Sequence, residues 1–214
     1  TTFTTAGLGW SHTIDYRNVV NTALLFSSLD FERRMREETP PFFQDGTTVF
    51  GQKSYVAAVN HVVESDNLTW RYGVEGGVLN NSFDIRVETS DIPAVSASTR
   101  DESYFSKAYV DLLHDITPDL KAEYGLFGTV LGGSESDAEH LEPRAGFAWI
   151  PAEGHWLRAG YIRQTSDMTT PTLAPIGIVG LQANDFSVGS DGYSDTLALK
   201  WDAEWTDRFF TTVD

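Results

Sequence analysis

The 214-residue sequence contains no cysteine, which excludes disulfide frameworks, thiol catalysis and zinc sites built on cysteine. Basic residues are scarce. The 15 Lys and Arg stand against 31 Asp and Glu, and the net charge of −16 argues against a nucleic-acid partner. Long apolar runs are missing, since the best candidate, Ile176 to Leu181, is far shorter than the roughly 20 residues of a membrane-spanning helix. Helical membrane proteins are thereby excluded, and the 41% hydrophobic content excludes a disordered chain.

The sequence shows instead an alternation of apolar and polar residues with a period of two. Near the C-terminus, Leu197, Leu199 and Trp201 share one parity, while Lys200 and Asp202 occupy the other. Successive side chains of a β-strand point to opposite faces, so this pattern predicts a strand with one apolar face. The pattern recurs along the chain, including an apolar parity of Ala23, Leu25, Leu29 and Phe31. It predicts one domain, residues 1–214, of ten antiparallel strands near 2–10, 20–34, 54–63, 69–87, 103–114, 120–131, 141–150, 155–165, 193–205 and 208–214.

The links between these strands alternate between short and long. Short polar links fall near residues 11–18, 64–67, 115–119, 151–154 and 206–207, and longer Gly-, Ser-, Pro- and acid-rich links fall near 37–53, 88–101, 132–139 and 165–192. Outer-membrane β-barrels have short periplasmic turns and longer extracellular loops, and this order matches them. The first strand would begin and the last strand would end on the long-loop side, whereas a complete barrel of this kind begins and ends on the periplasmic side. We therefore expect an internal piece of a larger barrel.

Tryptophan placement favours the same architecture. Five tryptophans lie beside predicted short links, where amphipathic rings would form a girdle at one membrane interface: Trp10, Trp70, Trp149, Trp156 and Trp205. Charges of both signs occupy the polar parity and would line the lumen, with the cations on one wall facing the anions: Arg71, Glu75, Lys121, Glu123, Arg144, Arg158, Lys200, Asp202 and Glu204. Packing near the hairpin ends and the solvated face of a soluble sheet explain the same two patterns. A soluble secreted sandwich or barrel that binds carbohydrate or protein therefore stays open as an alternative.

The C-terminal third carries a resemblance. Residues His155–Arg163, Thr172–Pro175 (Thr-Leu-Ala-Pro) and Ile178–Gln182, followed by Asp195–Trp205, resemble the C-terminal barrels of Gram-negative outer-membrane proteins joined to periplasmic tetratricopeptide repeats. That resemblance implies an outer-membrane conduit that exports an exopolysaccharide, with lipid, the polysaccharide and a periplasmic repeat domain or other envelope proteins as partners. The chain itself contains no tetratricopeptide helix pairs. The strands of TonB-dependent uptake receptors have similar sequence patterns, and such a receptor is a further alternative.

No motif in the sequence indicates catalysis or a cofactor, so we expect a non-enzymatic pore. There is no Gly-x-Ser-x-Gly elbow, no His-Glu-x-x-His motif and no phosphate-binding loop. The acid pairs Glu135/Asp137 and Asp202/Glu204 fit acidic loops or a lumen wall as well as catalytic carboxylates. The acids between residues 184 and 195 do not match the spacing of an EF-hand, and no resident metal is predicted. We also expect the loops at 135–142 and 185–195 to form a negative outer vestibule.

Overall fold

The computed structural model describes residues 1–39, 42–89, 93–133, 137–165, 170–182 and 192–214 of the chain, without the side chains of residues 38–39 and 42–43. Ten β-strands account for most of this part. They are β1 (Thr2–Asp15), β2 (Asn18–Thr39), β3 (Phe42–Glu64), β4 (Leu68–Thr89), β5 (Val95–Thr117), β6 (Leu120–Gly133), β7 (Ala138–Ala152), β8 (His155–Thr165), β9 (Tyr193–Thr206) and β10 (Phe209–Val213). Within the described ranges, no helix has the length and apolarity needed to cross a membrane.

The strands form one antiparallel sheet in which each strand pairs with its neighbours in the sequence, from β1 to β10. This confirms the ten-stranded, up-and-down, all-β fold. In the part of the chain that the structure describes, β1 pairs only with β2 and β10 only with β9, so the sheet is an open barrel wall.

Five short turns lie along one edge of the sheet, at residues 16–17, 65–67, 118–119, 153–154 and 207–208. We call this the turn edge, and each turn lies within or next to a predicted short link. The first turn is closed by Asp15, whose Oδ1 accepts hydrogen bonds of 2.8 Å from both Asn18 Nδ2 and the Arg17 amide. These bonds, that of Asn18 above all, lower the pKa of the Asp15 carboxyl.

The opposite edge differs from the sequence-based prediction. Strands β2 and β3 remain paired as far as Thr39 and Phe42, so the predicted link at 37–53 is largely strand. Likewise, β4 and β5 pair up to Val87 and Val95, so β5 begins inside the predicted link at 88–101. These four strands are 22 or 23 residues long, which is about twice the 9–11 residues that a barrel strand needs to cross a bilayer.

The two faces of the sheet carry different side chains. The outer face exposes apolar residues such as Leu24, Val74 and Leu199, whereas the inner face carries Arg71, Glu75 and the other buried charges. The predicted parity holds in β4, β6, β7, β8 and β9. In β2 it is wrong: Ala23 and Leu25 face inward, and Leu24 and Phe26 face outward. The reason is an inner apolar cluster of Val56, Leu79, Phe105 and Leu131, against which Leu25 packs.

The polarity of the two faces reverses along β2–β5. An outer row of paired residues, Phe26, Tyr55, Val78 and Tyr104, ends the apolar band, and we call it the tyrosine row. The next outer row, further from the turn edge, is polar: Ser28, Lys53, Asn80 and Glu102. Beyond it the outer face carries charged residues such as Asp30, Asp84 and Arg86, and the inner face carries an apolar row in which Phe31, Phe50 and Phe83 are paired. This reversal gives the long strands the composition of loops, which is why the sequence pattern did not reveal their full length.

Candidate functional site

The inner face holds a buried cluster of charges between β4 and β7. Arg71 and Asp111 are directly opposite each other in the register of β4 and β5, and Arg71 Nε donates to Asp111 Oδ2 at 2.8 Å. Arg71 also forms an ion pair with Glu123 of β6. Asp111 has no exposed surface, and Glu123 is buried as well. Gly125 leaves space for the cluster, because a Cβ there would lie 2.9 Å from Asp111 Oδ1.

Arg144 of β7 extends the cluster and links it to the segment that contains Pro175. Its guanidinium lies 3.6 Å from the centroid of the Phe127 ring, a cation–π contact. Its Nη1 donates a 2.7 Å hydrogen bond to the carbonyl of Pro175. Arg144 is buried, so its guanidinium interacts with protein groups and does not face a water-filled lumen.

The segment that receives this bond, residues 170–182, crosses the inner face, and we call it the inner segment. Thr172 Oγ1 donates to Glu75 Oε2 at 2.6 Å. The carbonyl of Leu173 accepts from Asn60 Nδ2 at 3.2 Å and from the Tyr109 hydroxyl at 3.4 Å. The segment therefore touches β3, β4 and β5 at one end and β7 at Pro175, all between the turn edge and the tyrosine row.

The far end of the inner segment is a tight turn at residues 178–181. Ile178 and Leu181 exchange backbone hydrogen bonds of 2.9 and 2.7 Å. Val179 has a φ of 44° and Gly180 a φ of 80°, and a left-handed conformation is an outlier for a β-branched residue such as valine. The Val179 amide donates to Glu123, so a carboxylate of the charge cluster holds the tip of the turn.

This turn fits against a surface made for it on β7 and β8. Ile178 and Leu181 are buried with Ile162 in one apolar cluster. Gly146 and Gly160 are paired across the two strands and lie beneath them. A Cβ on Gly160 would be 2.6 Å from Ile178 Cγ2, and one on Gly146 would be 3.0 Å from Ile178 Cγ1. The absence of side chains at both positions makes room for the inner segment.

The remaining predicted lumen residues lie apart from this cluster. Arg158 and Lys200 share Asp202, at 3.4 and 3.7 Å, on β8 and β9. Lys121 pairs with Asp115 at 2.8 Å near the turn edge, and Glu204 is exposed. The two signs are thus interleaved as ion pairs, in contrast to the opposing walls that we expected.

Several residues of the site were missed by the sequence analysis. Asn60, Tyr109 and Asp111 contact the inner segment or the charge cluster, and Lys107 lies 3.9 Å from Glu75. Glu142 accepts hydrogen bonds from Thr129 and, at 2.9 Å, from Thr165. The three missed residues of β5 could have been found from their positions, since Lys107, Tyr109 and Asp111 share one parity of that strand.

The structure shows on which face each tryptophan of the predicted girdle lies. Trp10, Trp70, Trp149 and Trp205 lie exposed on the outer face, where a girdle requires them. Trp156 is paired with Asp202 and faces inward, so its assignment to the girdle is wrong. Its parity in β8 already matches that of Arg158. Trp201 takes its place, because it stacks on His155 at 5.9 Å and meets Trp205 edge-on at 6.0 Å.

Other predicted features fall largely outside the described residues. These are Glu135 of the first acid pair and the acidic stretch 183–191, including most of the expected vestibule. Over the ranges that the structure covers, no group of three or more His, Cys, Asp or Glu side chains is arranged to hold a metal ion.

Comparison with known proteins gives matches in structure alone. No known family matches the chain, and no curated protein is similar in sequence. Solved structures similar to the sheet include BauA, the ferric preacinetobactin receptor of Acinetobacter baumannii, with a TM-score of 0.59 and 11% identity over 95% of this chain and 35% of that one. The ferric yersiniabactin uptake receptor FyuA of Yersinia pestis gives 0.58 and 12% identity over 96% and 34%.

A third similar structure, the ferric citrate transporter FecA in its unliganded form, gives a TM-score of 0.57 and 12% identity over 94% of this chain and 32% of that one. At these identities the likeness establishes the fold, an antiparallel wall of the outer-membrane β-barrel kind. The chain spans about a third of the length of the receptors it matches.

Proposed function

We propose that this chain is part of the wall of an outer-membrane barrel that takes up a ferric chelate, as TonB-dependent receptors do. The observation that carries the proposal is that the inner face of this wall is covered by the inner segment and is not open to water. Barrels of 16–18 strands enclose water-filled channels, whereas the 22-stranded outer-membrane transporters have a filled lumen. Here the charges of the inner face bind protein groups, which favours the second kind.

The outer face supports a location in the bacterial outer membrane, with lipid as its partner. Apolar side chains cover the band between the turn edge and the tyrosine row, and tryptophans lie near the turn edge. Aromatic girdles flank the apolar band of such barrels in this way. A soluble β domain would need a partner for this face, and sedimentation of the full-length protein with membranes would exclude that alternative.

The uptake proposal is tested with the full-length protein that contains this chain. It is expressed in a Gram-negative strain that lacks its own ferric citrate receptor, and uptake of radioactive iron from ferric citrate is measured with and without TonB. We expect iron uptake that requires both this protein and TonB. The same measurement with ferric yersiniabactin and ferric preacinetobactin extends the test. Equal uptake with and without the protein for all three chelates would refute the proposal.

Export of an exopolysaccharide is a second candidate, and one observation favours it. The motif that carries the resemblance, Thr172–Pro175 with Ile178–Gln182, is the inner segment itself, so those residues have a shared role inside a barrel. In this case deletion of the gene would abolish secreted polysaccharide and leave iron uptake unchanged. In either case we expect the barrel to move a solute without catalysing a reaction.

A further inference from the structure

We propose that the inner segment, residues 170–182, is a gate that lies against the wall when the barrel is closed and leaves it when a solute passes. The inference rests on the proposed transport function and adds a moving part to it. It depends on three features: the position of the segment, the contacts that hold it and the backbone conformation of its tip.

The position is across the interior. The segment runs over the inner face from Asn60 of β3 to Ile162 of β8, at the height of the outer apolar band. A solute that crosses the membrane next to this wall therefore meets the segment. Its own residues Ala174, Ile178 and Leu181 are buried against the wall, so the segment fills the space that it occupies.

The polar contacts of the segment are of a kind that can be exchanged for water. Glu75 receives the Thr172 hydroxyl, Glu123 receives the Val179 amide, and Arg144 donates to the Pro175 carbonyl. Each contact joins a charged wall residue to an uncharged group of the segment. When the segment leaves, Glu123 keeps Arg71 and Glu75 keeps Lys107. Arg144 keeps its cation–π contact with Phe127, so each of the three wall charges retains a partner.

The backbone conformation of the tip lowers the free-energy cost of opening. Val179 is held in the left-handed region, where asparagine and glycine are the usual residues of such a turn. Non-glycine residues keep this conformation only where surrounding contacts impose it. Here the contact with Glu123 and the packing of Ile178 on Gly160 impose it, and their loss would let the turn relax.

The first test measures how often the segment leaves the wall, and it does not require transport. The chain has no cysteine, so Ala174→Cys, buried against Tyr109 and Phe127, gives a unique thiol once any cysteine elsewhere in the full-length protein is replaced by serine. Its reaction rate with a membrane-impermeant maleimide is measured in outer-membrane vesicles that carry the full-length protein. Glu123→Gln weakens the hydrogen bond from the Val179 amide, and Thr172→Val removes the bonds of the Thr172 hydroxyl with Glu75 and the Ala174 amide. We expect either variant to raise the rate about threefold to tenfold, which corresponds to the usual contribution of a hydrogen bond.

The matched control is Glu102→Gln, which removes the same charge on the outer face beyond the tyrosine row. Heat-modifiable migration on gels confirms that each variant is folded, and Thr172→Val keeps the test valid if Glu123→Gln fails to fold. Equal rates in the parent, in whichever of Glu123→Gln and Thr172→Val is folded, and in the control would overturn the proposal, whatever the solute of the barrel.

The second test locks the segment to the wall. A Cβ at Gly160 would lie so close to Ile178 Cγ2 that the two Cβ atoms are within about 4 Å, which suits a disulfide. We expect oxidised Gly160→Cys/Ile178→Cys protein to lose solute uptake and planar-bilayer openings, and a reductant to restore both. The single-cysteine variants are the controls. Transport that is the same in oxidised and reduced protein would refute the gate, whereas absence of transport in the parent would refute only the proposed function.

Discussion

Replacement of Arg71 by methionine tests whether the charge cluster is desolvated. The substitution removes the one cation that contacts both Asp111 and Glu123 among the described residues. Asp111 has no exposed surface, and the Glu123 side chain is 7% exposed. Loss of one partner of a buried ion pair typically costs about 3–5 kcal/mol, because the remaining charge stays buried without compensation. We expect the free energy of unfolding to fall by that amount.

The matched control is Arg17→Met at the turn edge. Arg17 forms an ion pair of 2.8 Å with Asp66, but the two side chains are 41% and 86% exposed. Exposed pairs contribute about 0–1 kcal/mol. The assay is urea unfolding of the full-length protein in lipid vesicles, followed by tryptophan fluorescence. The triple variant Arg71→Met/Asp111→Asn/Glu123→Gln should recover part of the loss, since it removes the stranded charges.

Equal losses in Arg71→Met and Arg17→Met would refute this reasoning. That result would mean that water reaches Asp111 and Glu123 freely, so that their interaction with Arg71 is screened as it is at a surface. The inner face would then be an open, hydrated wall, as we first expected from the sequence.

Three further predictions concern the faces of the wall. Val59→Arg, in the outer apolar band, should lower the free energy of unfolding by about 2–4 kcal/mol, whereas Val49→Arg, beyond the tyrosine row, should have little effect; urea unfolding measures both. Gly160→Ala should raise the labelling rate of the inner segment because its methyl group meets Ile178, and Gly128→Ala, which meets nothing within 4 Å, should leave it unchanged. Brominated lipids should quench the fluorescence of single-tryptophan proteins with the residue on the outer face but not of one that retains only Trp156; equal quenching would contradict its inward position.

The fold was largely predictable because strand pairing follows sequence order and the alternation is local. Outer residues such as Leu197 and inner residues such as Lys200 could be assigned from parity alone. Strand β2 could not, because Leu25 packs inside against residues from β3 to β6 that no local pattern reveals. The same limit applied at the site. Thr172 and Glu75 are 97 positions apart, and their contact depends on how the inner segment crosses the sheet.

The reversal of polarity at the tyrosine row also fixes the depth of the wall in the membrane. A shift of β2–β5 toward the periplasm would pull Lys53 and Glu102 into hydrocarbon, and charges there cost up to about 2–4 kcal/mol each for Lys. A shift in the other direction would lift Tyr55 and Tyr104 out of the interface. The four strands are therefore held against vertical sliding in both directions. An outer-membrane barrel that contains this wall would therefore hold these strands at one depth in the bilayer.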